Sequence, residues 1–281
     1  MTNKEESFKD INAELLDAQK AWVDEIVKSD NTRRELKDRD SKGRYYDMLS
    51  FPFYFGISQE YMNSSKKKIM IVGQETGGGF DFLNSENEKT IKENKPEISQ
   101  QWTYAYNDEQ RHCVINTSPF WWFVRAINDY KKDGVFPFIT CYNNVDKIHF
   151  SKLNNHTLNI DSLPLSYSAE KLFSAKYKFK GEEKPLLLRE IQILKTHKLL
   201  DAIVFVTGPY YDQTMGLALG LSKGEKALKH IRPTENHPLQ RISELEGWEN
   251  RLFWTYHPNY LRLKQKEQIV LSELFEHLSC L

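Results

Sequence analysis

Cysteine is scarce in this sequence. The 281 residues include three cysteines, Cys113, Cys141 and Cys280, which lie far apart along the chain. An odd and widely spaced set of three excludes a disulfide framework and any four-thiolate zinc or iron–sulfur site made by one chain. Long apolar runs are also lacking, and the amino terminus is charged without an apolar signal core. We therefore expect a protein of the cytoplasm that has no membrane partner.

An excess of either charge is lacking as well. The 39 lysines and arginines balance 39 aspartates and glutamates, so the whole chain exerts no net electrostatic pull on nucleic acid. Residues 223–266 differ from the rest, because nine basic side chains stand there against five acidic ones. Aromatic residues are abundant at 13%, and several cluster in the segments SPFWWF and LFWTYHPNY. The composition thus leaves open a local basic face and some clustered rings at the surface.

Four short apolar runs predict buried strands. They are Lys68–Val72 and the segments VFPFITCYNN, DAIVFVTG and NRLFWTYHP. Helical patterns separate them, with proline starts at Pro119 and Pro185 and a closing amphipathic helix over Lys264–Ser279. Strands that alternate with helices imply a parallel sheet covered on both faces, in an α/β fold.

The domain organisation is expected to be simple. No internal repeat or low-complexity linker divides the chain, so residues 1–281 are predicted to form a single decorated α/β domain. Residues 1–45 would supply an amino-terminal helix and a connector, and residues 81–113 would form an insertion.

Polar residues or glycines follow every predicted strand, in the stretches GQETGGG, NN, TGPYYD and HPN. Parallel strands bring their carboxyl ends to one edge of a sheet, where open α/β sheets bind ligands. Glu75, His257 and either Asn143 or Asn144 could therefore converge there. A carboxylate, an imidazole and an amide in one cleft form a set for acid–base chemistry and ligand recognition.

The glycine-rich loop after the first strand does not fit a phosphate-binding motif. A Walker loop needs a lysine followed by serine or threonine after its glycines, whereas Phe80 and Asp81 stand here. The dinucleotide fingerprint needs a second glycine where this chain has Glu75, whose charge would repel a pyrophosphate. A catalytic carboxylate at the end of a strand is the interpretation that remains.

The motifs resemble those of the uracil-DNA glycosylase superfamily. IMIVGQETG is similar to its strand followed by G-Q-D-P-Y, and YHPNYL to its H-P-S-P-L motif. SPFWWFVRAI and ITCYNNVDKI are similar to the segments that carry its stacking ring and its base-reading asparagine. The resemblance is closer to the single-strand-selective and mismatch types than to the iron–sulfur types. It implies a three-layer α/β/α sandwich whose four-stranded parallel sheet has the order 2-1-3-4.

The resemblance also implies a function. The protein would be a monofunctional DNA glycosylase that flips uracil or a 5-substituted pyrimidine out of DNA and hydrolyses its N-glycosidic bond with water. Glu75 would activate the water and His257 would stabilise the leaving base. The base-binding residues implied are Gln74, Gly77, Phe120 and Asn144, with Asn143 as the alternative amide. The DNA-binding residues implied are Tyr260, Leu261, Arg262 and Lys264.

Departures from the family pattern bear on specificity. Thr76 replaces a proline of the first motif, and Asn259 with Tyr260 replaces Ser-Pro of the second. Gly77 stands where uracil-restricted members carry a tyrosine, so we expect space for a substituent at the 5-position of the base. No cluster with metal-ligand spacing is found, and we expect no metal or organic cofactor. We expect a monomer whose partner is single- or double-stranded DNA.

Two alternatives of other classes remain open at this stage. The first is a glycosylase-like module that binds nucleic acid or another partner without catalysis. The second is a hydrolase of free nucleosides or nucleotides, which the balanced overall charge favours slightly.

Overall fold

The computed structural model describes residues 2–28, 55–74, 119–145, 185–223, 226–248 and 250–281. The α-helices of these residues are α1 (Thr2–Lys28), α2 (Gln59–Asn63), α3 (Pro119–Asn128), α4 (Leu186–Thr196), α5 (Asp212–Ala218), α6 (Pro258–Leu263) and α7 (Glu267–Ser279). Short 3₁₀ turns span Pro209–Tyr211 and Lys229–Ile231. The strands are β1 (Lys67–Gly73), β2 (Phe138–Asn144), β3 (Ala202–Phe205), β4 (Leu239–Arg241) and β5 (Leu252–Thr255).

The strands form one mixed sheet in the order β2-β1-β3-β5-β4. Strands β2, β1, β3 and β5 are parallel to their neighbours, and β4 pairs with β5 in the antiparallel direction. The predicted α/β class is confirmed. The predicted four-stranded, wholly parallel sheet is corrected, because a fifth strand lies at one edge and runs the other way.

The sequence gives little sign of this fifth strand because it is short. Strand β4 has three residues, and Leu239 alone among them is buried. Three residues are too few to show the alternation that identifies a half-buried strand. Its pairing with β5 runs from Leu239 opposite Thr255 to Arg241 opposite Phe253, so tertiary context defines it.

Helices cover the sheet on both faces, as a parallel sheet requires. Successive side chains of β1 illustrate this, because Ile69 and Ile71 point to one face and Met70 and Val72 to the other. Core residues of α3 and α7 pack on the first face, which we call the α3/α7 face. Core residues of α1 and α4 pack on the second, the α1/α4 face.

The predicted closing helix is present, with a later start. It is predicted over Lys264–Ser279, and α7 spans Glu267–Ser279, whereas the preceding helix α6, from Pro258 to Leu263, is not predicted. Gln265 between them has a φ of +54°, a left-handed conformation that an α-helix cannot contain. The break leaves α6 as a separate short helix directly after His257.

Some predicted segments lie outside the described residues. They include the insertion at 81–113, most of the connector before residue 45 and the glycines that follow Glu75. Within the ranges that are described, every helix is too short or too polar to cross a membrane.

Candidate functional site

The carboxyl ends of β1, β2, β3 and β5 meet at one edge of the sheet, which we call the strand-end site. Hydrogen bonds join neighbouring ends there. Val145 N–H donates to Gly73 O over 3.0 Å, and Gly208 N–H donates to Thr255 O over 3.0 Å. The side chain of Gln74 bridges β1 to β3, because its Nε2 donates to Thr207 O over 2.6 Å. Gln74 thereby links the strand ends, a role that the sequence motif does not reveal.

Asn144 ends β2 with its side chain fully buried. The hydroxyl of Tyr142 donates to its Oδ1. Its Nδ2 has no hydrogen-bond partner among the residues that the structure describes. A buried amide nitrogen without an acceptor loses its interactions with water and gains nothing in return, at a cost of about 1–3 kcal/mol. Asn144 therefore presents a donor that a ligand carbonyl could satisfy.

Gly73 makes room for this amide. The register pairs Gly73 directly with Asn144 across the parallel strands. A Cβ at position 73 would lie 2.9 Å from Asn144 Oδ1 and 3.2 Å from the Tyr142 hydroxyl. Any side chain at this position would push the amide aside, so the first glycine of GQETGGG has a spatial role at the site.

Asn143 faces the opposite way, because successive side chains of a strand alternate. It is fully buried on the α1/α4 face, where its Nδ2 donates to Glu190 Oε2 over 2.9 Å. Its Oδ1 accepts from the backbone N–H of Asn144 over 2.8 Å. Of the two candidate amides, Asn144 lies at the strand-end site and Asn143 lies behind it.

Three aromatic rings cluster at the strand-end site on the α3/α7 face, and one of them, Tyr142, contacts Asn144. Phe120 and Trp121 at the start of α3 pack edge-to-face with each other at a centroid distance of 5.1 Å. Both contact Tyr142, at 4.9 and 5.3 Å. The rings are partly exposed rather than fully buried. They offer apolar surface beside the Asn144 amide, as a planar ligand would require.

His257 follows β5 on the other side of the site. Its Nδ1 accepts from the Asn259 backbone N–H over 3.2 Å, which places the ring proton on Nε2. Burial lowers the pKa of His257 below its ordinary value of 6.5, so the neutral ring is favoured. Among the described residues Nε2 has no hydrogen-bond partner. His257 is thus a neutral donor, as Asn144 is.

The spacing of the strands sets the distance between the two donors. Three interstrand steps, from β2 through β1 and β3 to β5, separate their backbones by about 14 Å. Helix α6, which follows His257, packs against α3, which carries Phe120. Asn144 and His257 therefore lie on opposite sides of one site, and the β1 and β3 ends form the part between them.

Three tyrosines next to His257 form an aromatic surface that we call the tyrosine shelf. Tyr256 and Tyr260 stack at a centroid distance of 4.4 Å with their planes 20° apart. Tyr210, just after Gly208, is 88% exposed. Burial first, and then the charges of Tyr260, Glu235 and Tyr210, raise the pKa of Tyr256. The Tyr260 hydroxyl donates to Glu235 Oε1 over 2.9 Å.

The other predicted DNA-binding residues differ in exposure. Leu261 is fully buried in the core of the α3/α7 face, so its side chain stabilises the packing and is not presented at the surface. Arg262 and Lys264 are exposed, and Lys264 lies 3.5 Å from Glu235. Leu263, two residues after Leu261, is 75% exposed. The exposed residues of α6 and of the lysine that caps it are therefore Asn259, Arg262, Leu263 and Lys264, and Tyr260 is half-buried.

Glu75 and Gly77, to which the sequence motif gives roles, lie outside the described residues. Conversely, the motif gave no role to Trp121, Tyr142 or Tyr210. Tyr142 could have been found, because it lies two residues before Asn144 and therefore on the same face. The exposure of Tyr210 has no such signal, since a tyrosine after a strand is as often buried.

Over the described ranges, histidine, cysteine, aspartate and glutamate form no group of three that could hold a metal ion. Burial raises the pKa of the Cys141 thiol to about 12, so it is no nucleophile at neutral pH. Comparisons with protein-family models, with curated proteins and with solved structures find no match to this chain.

Proposed function

We propose that this protein is a DNA glycosylase that hydrolyses the N-glycosidic bond of uracil or of a 5-substituted pyrimidine. The observation that carries the proposal is the fully buried Asn144 amide, whose Nδ2 has no partner in the described part of the chain. A fold of the uracil-DNA glycosylase type is part of the proposal. The order β2-β1-β3-β5 of its parallel strands supports that fold, with β4 as an addition at the edge.

The amide suits one edge of a pyrimidine. Nδ2–H would donate to the carbonyl at position 4 of uracil, and Oδ1 would accept from N3–H beside the Tyr142 hydroxyl. Cytosine has a donor and an acceptor exchanged at these two positions, so this arrangement disfavours it. Phe120 and Trp121 supply the rings against which the extruded base would lie.

The chemistry then needs a base that can leave and a water that can attack. As the bond from C1′ to N1 breaks, its electron pair leaves with the base, and the neutral Nε2–H of His257 stabilises the developing anion. Water adds to C1′, and Glu75 accepts its proton and later releases it to solvent. Glu75 directly follows Gln74 in the chain, and Gln74 lies at the end of β1.

The surface around the site favours a polymer over a free nucleoside. Tyr210 offers an exposed ring for a neighbouring base, and Arg262 and Lys264 offer positive charge for phosphates. A free nucleoside would use neither. This feature favours the glycosylase proposal over a hydrolase of free nucleosides, and the exposed Tyr210 ring, which would have no neighbouring base to stack on, favours it over a hydrolase of free nucleotides.

The test is base release from labelled oligonucleotides. Single-stranded and double-stranded DNA carrying uracil, 5-hydroxymethyluracil, thymine or cytosine would be incubated with the protein and treated with alkali to cleave abasic sites. We expect cleavage at uracil, comparable cleavage at 5-hydroxymethyluracil because of Gly77, and none at cytosine. Cleavage at uracil only would contradict the role of Gly77, which is to leave space for a 5-substituent, and would leave the rest of the proposal unaffected.

Matched variants decide whether the assigned residues act. Glu75→Gln and His257→Ala should each lower kcat by at least about 100-fold. His237→Ala is the control, because His237 is an exposed histidine whose described hydrogen bonds all involve its backbone N–H or carbonyl. Full activity in both site variants would refute the assigned roles. Oligonucleotide binding without base release by the parent protein would indicate a binding module instead.

A further inference from the structure

The backbone N–H of Asn144 raises a packing problem. In a β-strand, successive N–H groups point to opposite sides, and the N–H of Val145 points to β1, where it bonds Gly73 O. The N–H of Asn144 therefore points away from β1. Strand β2 is at the edge of the described sheet, so no strand of that sheet can accept this bond. Asn144 is fully buried, so water cannot accept it either.

The side chain of Asn143 solves the problem. Its Oδ1 accepts from the Asn144 N–H over 2.8 Å. The same device occurs four residues earlier on this edge, where Asn128 Oδ1 accepts from the N–H of Thr140 over 3.0 Å. Asparagine side chains thus replace the missing neighbour strand at two points of β2.

Glu190 determines which end of the Asn143 amide faces this N–H. The Nδ2 of Asn143 donates to Glu190 Oε2 over 2.9 Å, and both side chains are fully buried. A carboxylate accepts hydrogen bonds and donates none, so it requires the nitrogen on its side and leaves the oxygen for Asn144. The opposite orientation would place two donors against each other.

Glu190 is itself fixed from the far side of the sheet. It lies on α4, and its Oε1 accepts from Gln19 Nε2 of α1 over 2.7 Å. The same Gln19 nitrogen donates to Phe55 O over 2.9 Å. A continuous series of bonds therefore runs from α1 through Glu190 and Asn143 to the backbone of Asn144.

We propose that Glu190 is a positioning residue for Asn144, acting through Asn143. It holds the Asn144 backbone so that Oδ1 meets the Tyr142 hydroxyl and Nδ2 stays directed at a ligand. The consequence for catalysis rests on the proposed function, whereas the hold on the backbone does not. The two adjacent asparagines thus have different roles, because Asn143 supports the backbone and Asn144 contacts the ligand.

The test removes both members of the Asn143–Glu190 pair together, so that neither is left facing an absent partner. The double variant, Asn143→Leu with Glu190→Met, replaces them by apolar groups of similar size and leaves the Asn144 N–H without its acceptor, at a cost of about 1–3 kcal/mol. Glu190→Gln is the conservative variant, because glutamine can still accept from Asn143. Asn128→Leu is the control, since it uncaps Thr140 on the same strand edge without touching Asn144.

Hydrogen exchange at single backbone amides is measured first, in ¹⁵N-labelled protein. Urea is added so that the parent protein and each variant have the same free energy of global unfolding. In the double variant, the exchange rate of the Asn144 N–H divided by that of the Cys141 N–H should rise at least about tenfold. This is the effect expected from the loss of one hydrogen bond. Glu190→Gln should fall between it and the parent protein, and Asn128→Leu should leave Asn144 unchanged. Unchanged exchange at Asn144 in the double variant would overturn the proposal.

Turnover is measured second, on the best oligonucleotide substrate. We expect the double variant to raise KM and lower kcat/KM about tenfold or more, with restoration towards the parent value in Glu190→Gln. Faster exchange with unaltered kcat/KM would refute a role in catalysis. Faster exchange in a protein whose parent form releases no base would refute the proposed function and leave the hold on the Asn144 backbone standing.

Discussion

Two sets of polar side chains, one on the α1/α4 face and one at the strand-end site, differ in whether their donors are used. On the α1/α4 face, the amide nitrogens of Gln19 and Asn143 both donate to Glu190. At the strand-end site, Asn144 Nδ2 and His257 Nε2 have no acceptor among the described residues. We call the first set the closed cluster and the second the open pair.

The difference shows where the fold leaves a polar group without a hydrogen bond, at a cost in free energy. Buried polar groups in proteins are nearly always hydrogen-bonded, so a buried donor without a partner marks either a defect or a place for a ligand. Within the open pair this applies to the fully buried Asn144, whereas His257 is half-buried. Gln19 Oε1 also lacks a partner within the described ranges, but its amide nitrogen makes two bonds. The closed cluster is thus support for the fold, and the open pair is where binding energy is still to be gained.

The largest effect that would sharpen this contrast is expected from Asn144→Ala. The variant removes an unpaired buried donor, which should offset the loss of the acceptor for the Tyr142 hydroxyl, so the free energy of unfolding should change by less than about 1 kcal/mol. Activity should fall by about 100- to 1,000-fold, as for the loss of a single preorganised donor. Urea unfolding and kcat/KM on uracil-containing DNA would measure the two effects.

Asn143→Ala is the matched control for that variant, and it should behave in the opposite way. It leaves the buried Glu190 carboxylate and the Asn144 N–H each short of a partner, which should cost about 2–4 kcal/mol of stability. Its activity, measured on the folded fraction, should fall less than that of Asn144→Ala. A stability loss that is larger in Asn144→Ala than in Asn143→Ala would break the distinction between the two sets.

Gly73→Ala tests the geometry of the open pair and should have the next largest effect. The added Cβ would lie 2.9 Å from Asn144 Oδ1, so the amide must move. We expect a loss of about 1–3 kcal/mol from overpacking and a decrease of about 10- to 100-fold in kcat/KM, because the donor is displaced. Thermal unfolding and steady-state kinetics would be measured on the same preparation.

Gly134→Ala serves as the control for the glycine substitution. Gly134 lies on a surface turn with a φ of +81°, and an added Cβ there would meet no atom within 4 Å. It should lose about 1 kcal/mol of stability through backbone strain and keep full activity. Equal activity in the two alanine variants would show that the closeness of Gly73 to Asn144 has no functional meaning.

The core of the fold could be predicted because local sequence patterns, namely apolar runs and proline positions, identify its strands and helices. Apolar runs such as IMIV and AIVF are long and uniform enough to identify buried parallel strands, and Pro119 and Pro185 mark the starts of α3 and α4. The antiparallel β4 and the break at Gln265 escaped prediction, because pairing and a single left-handed residue depend on the rest of the structure.

The site was predictable only as a set of strand ends. The pair NN could be placed at the edge, yet the sequence could not tell which asparagine faces the ligand. Alternation along β2 answers that once Cys141 is known to face the α1/α4 core. The partner of Asn143, Glu190, lies 47 residues further along the chain, so no local sequence pattern indicates their hydrogen bond.

Tyr210→Ala asks whether the site extends beyond the open pair to the tyrosine shelf. Removal of an 88% exposed ring should leave the fold intact and weaken binding of a single-stranded oligonucleotide about fivefold to twentyfold, the loss of one base stacked on an aromatic ring. Tyr210→Phe should bind normally, because stacking needs the ring and not the hydroxyl. Fluorescence anisotropy at fixed ionic strength would give the dissociation constants.

Phe136→Ala is the matched control for the shelf. Phe136 is an exposed aromatic residue that precedes β2, at the opposite end of the strands, with Lys66 and Lys131 near its ring. It should bind the oligonucleotide as the parent protein does. A comparable loss of affinity in both variants would indicate that exposed rings bind DNA wherever they lie, and the shelf would then have no special part in the site.

The smallest expected effect concerns the charge of His257. Burial lowers its pKa below 6.5, so the neutral donor form should persist at pH 6.5 and the acid limb of kcat/KM should lie below that value.

The free energy of unfolding should also depend on the protonation of His257. Between the lowered pKa of the folded state and 6.5, the unfolded chain binds more protons, so the free energy of unfolding falls on acidification through this window. An NMR titration of the His257 ring in the parent protein would measure the pKa, with exposed His237 as the internal reference. A His257 midpoint at or above that of His237 would mean that the ring is charged near neutral pH, and the open pair would lose one of its two neutral donors.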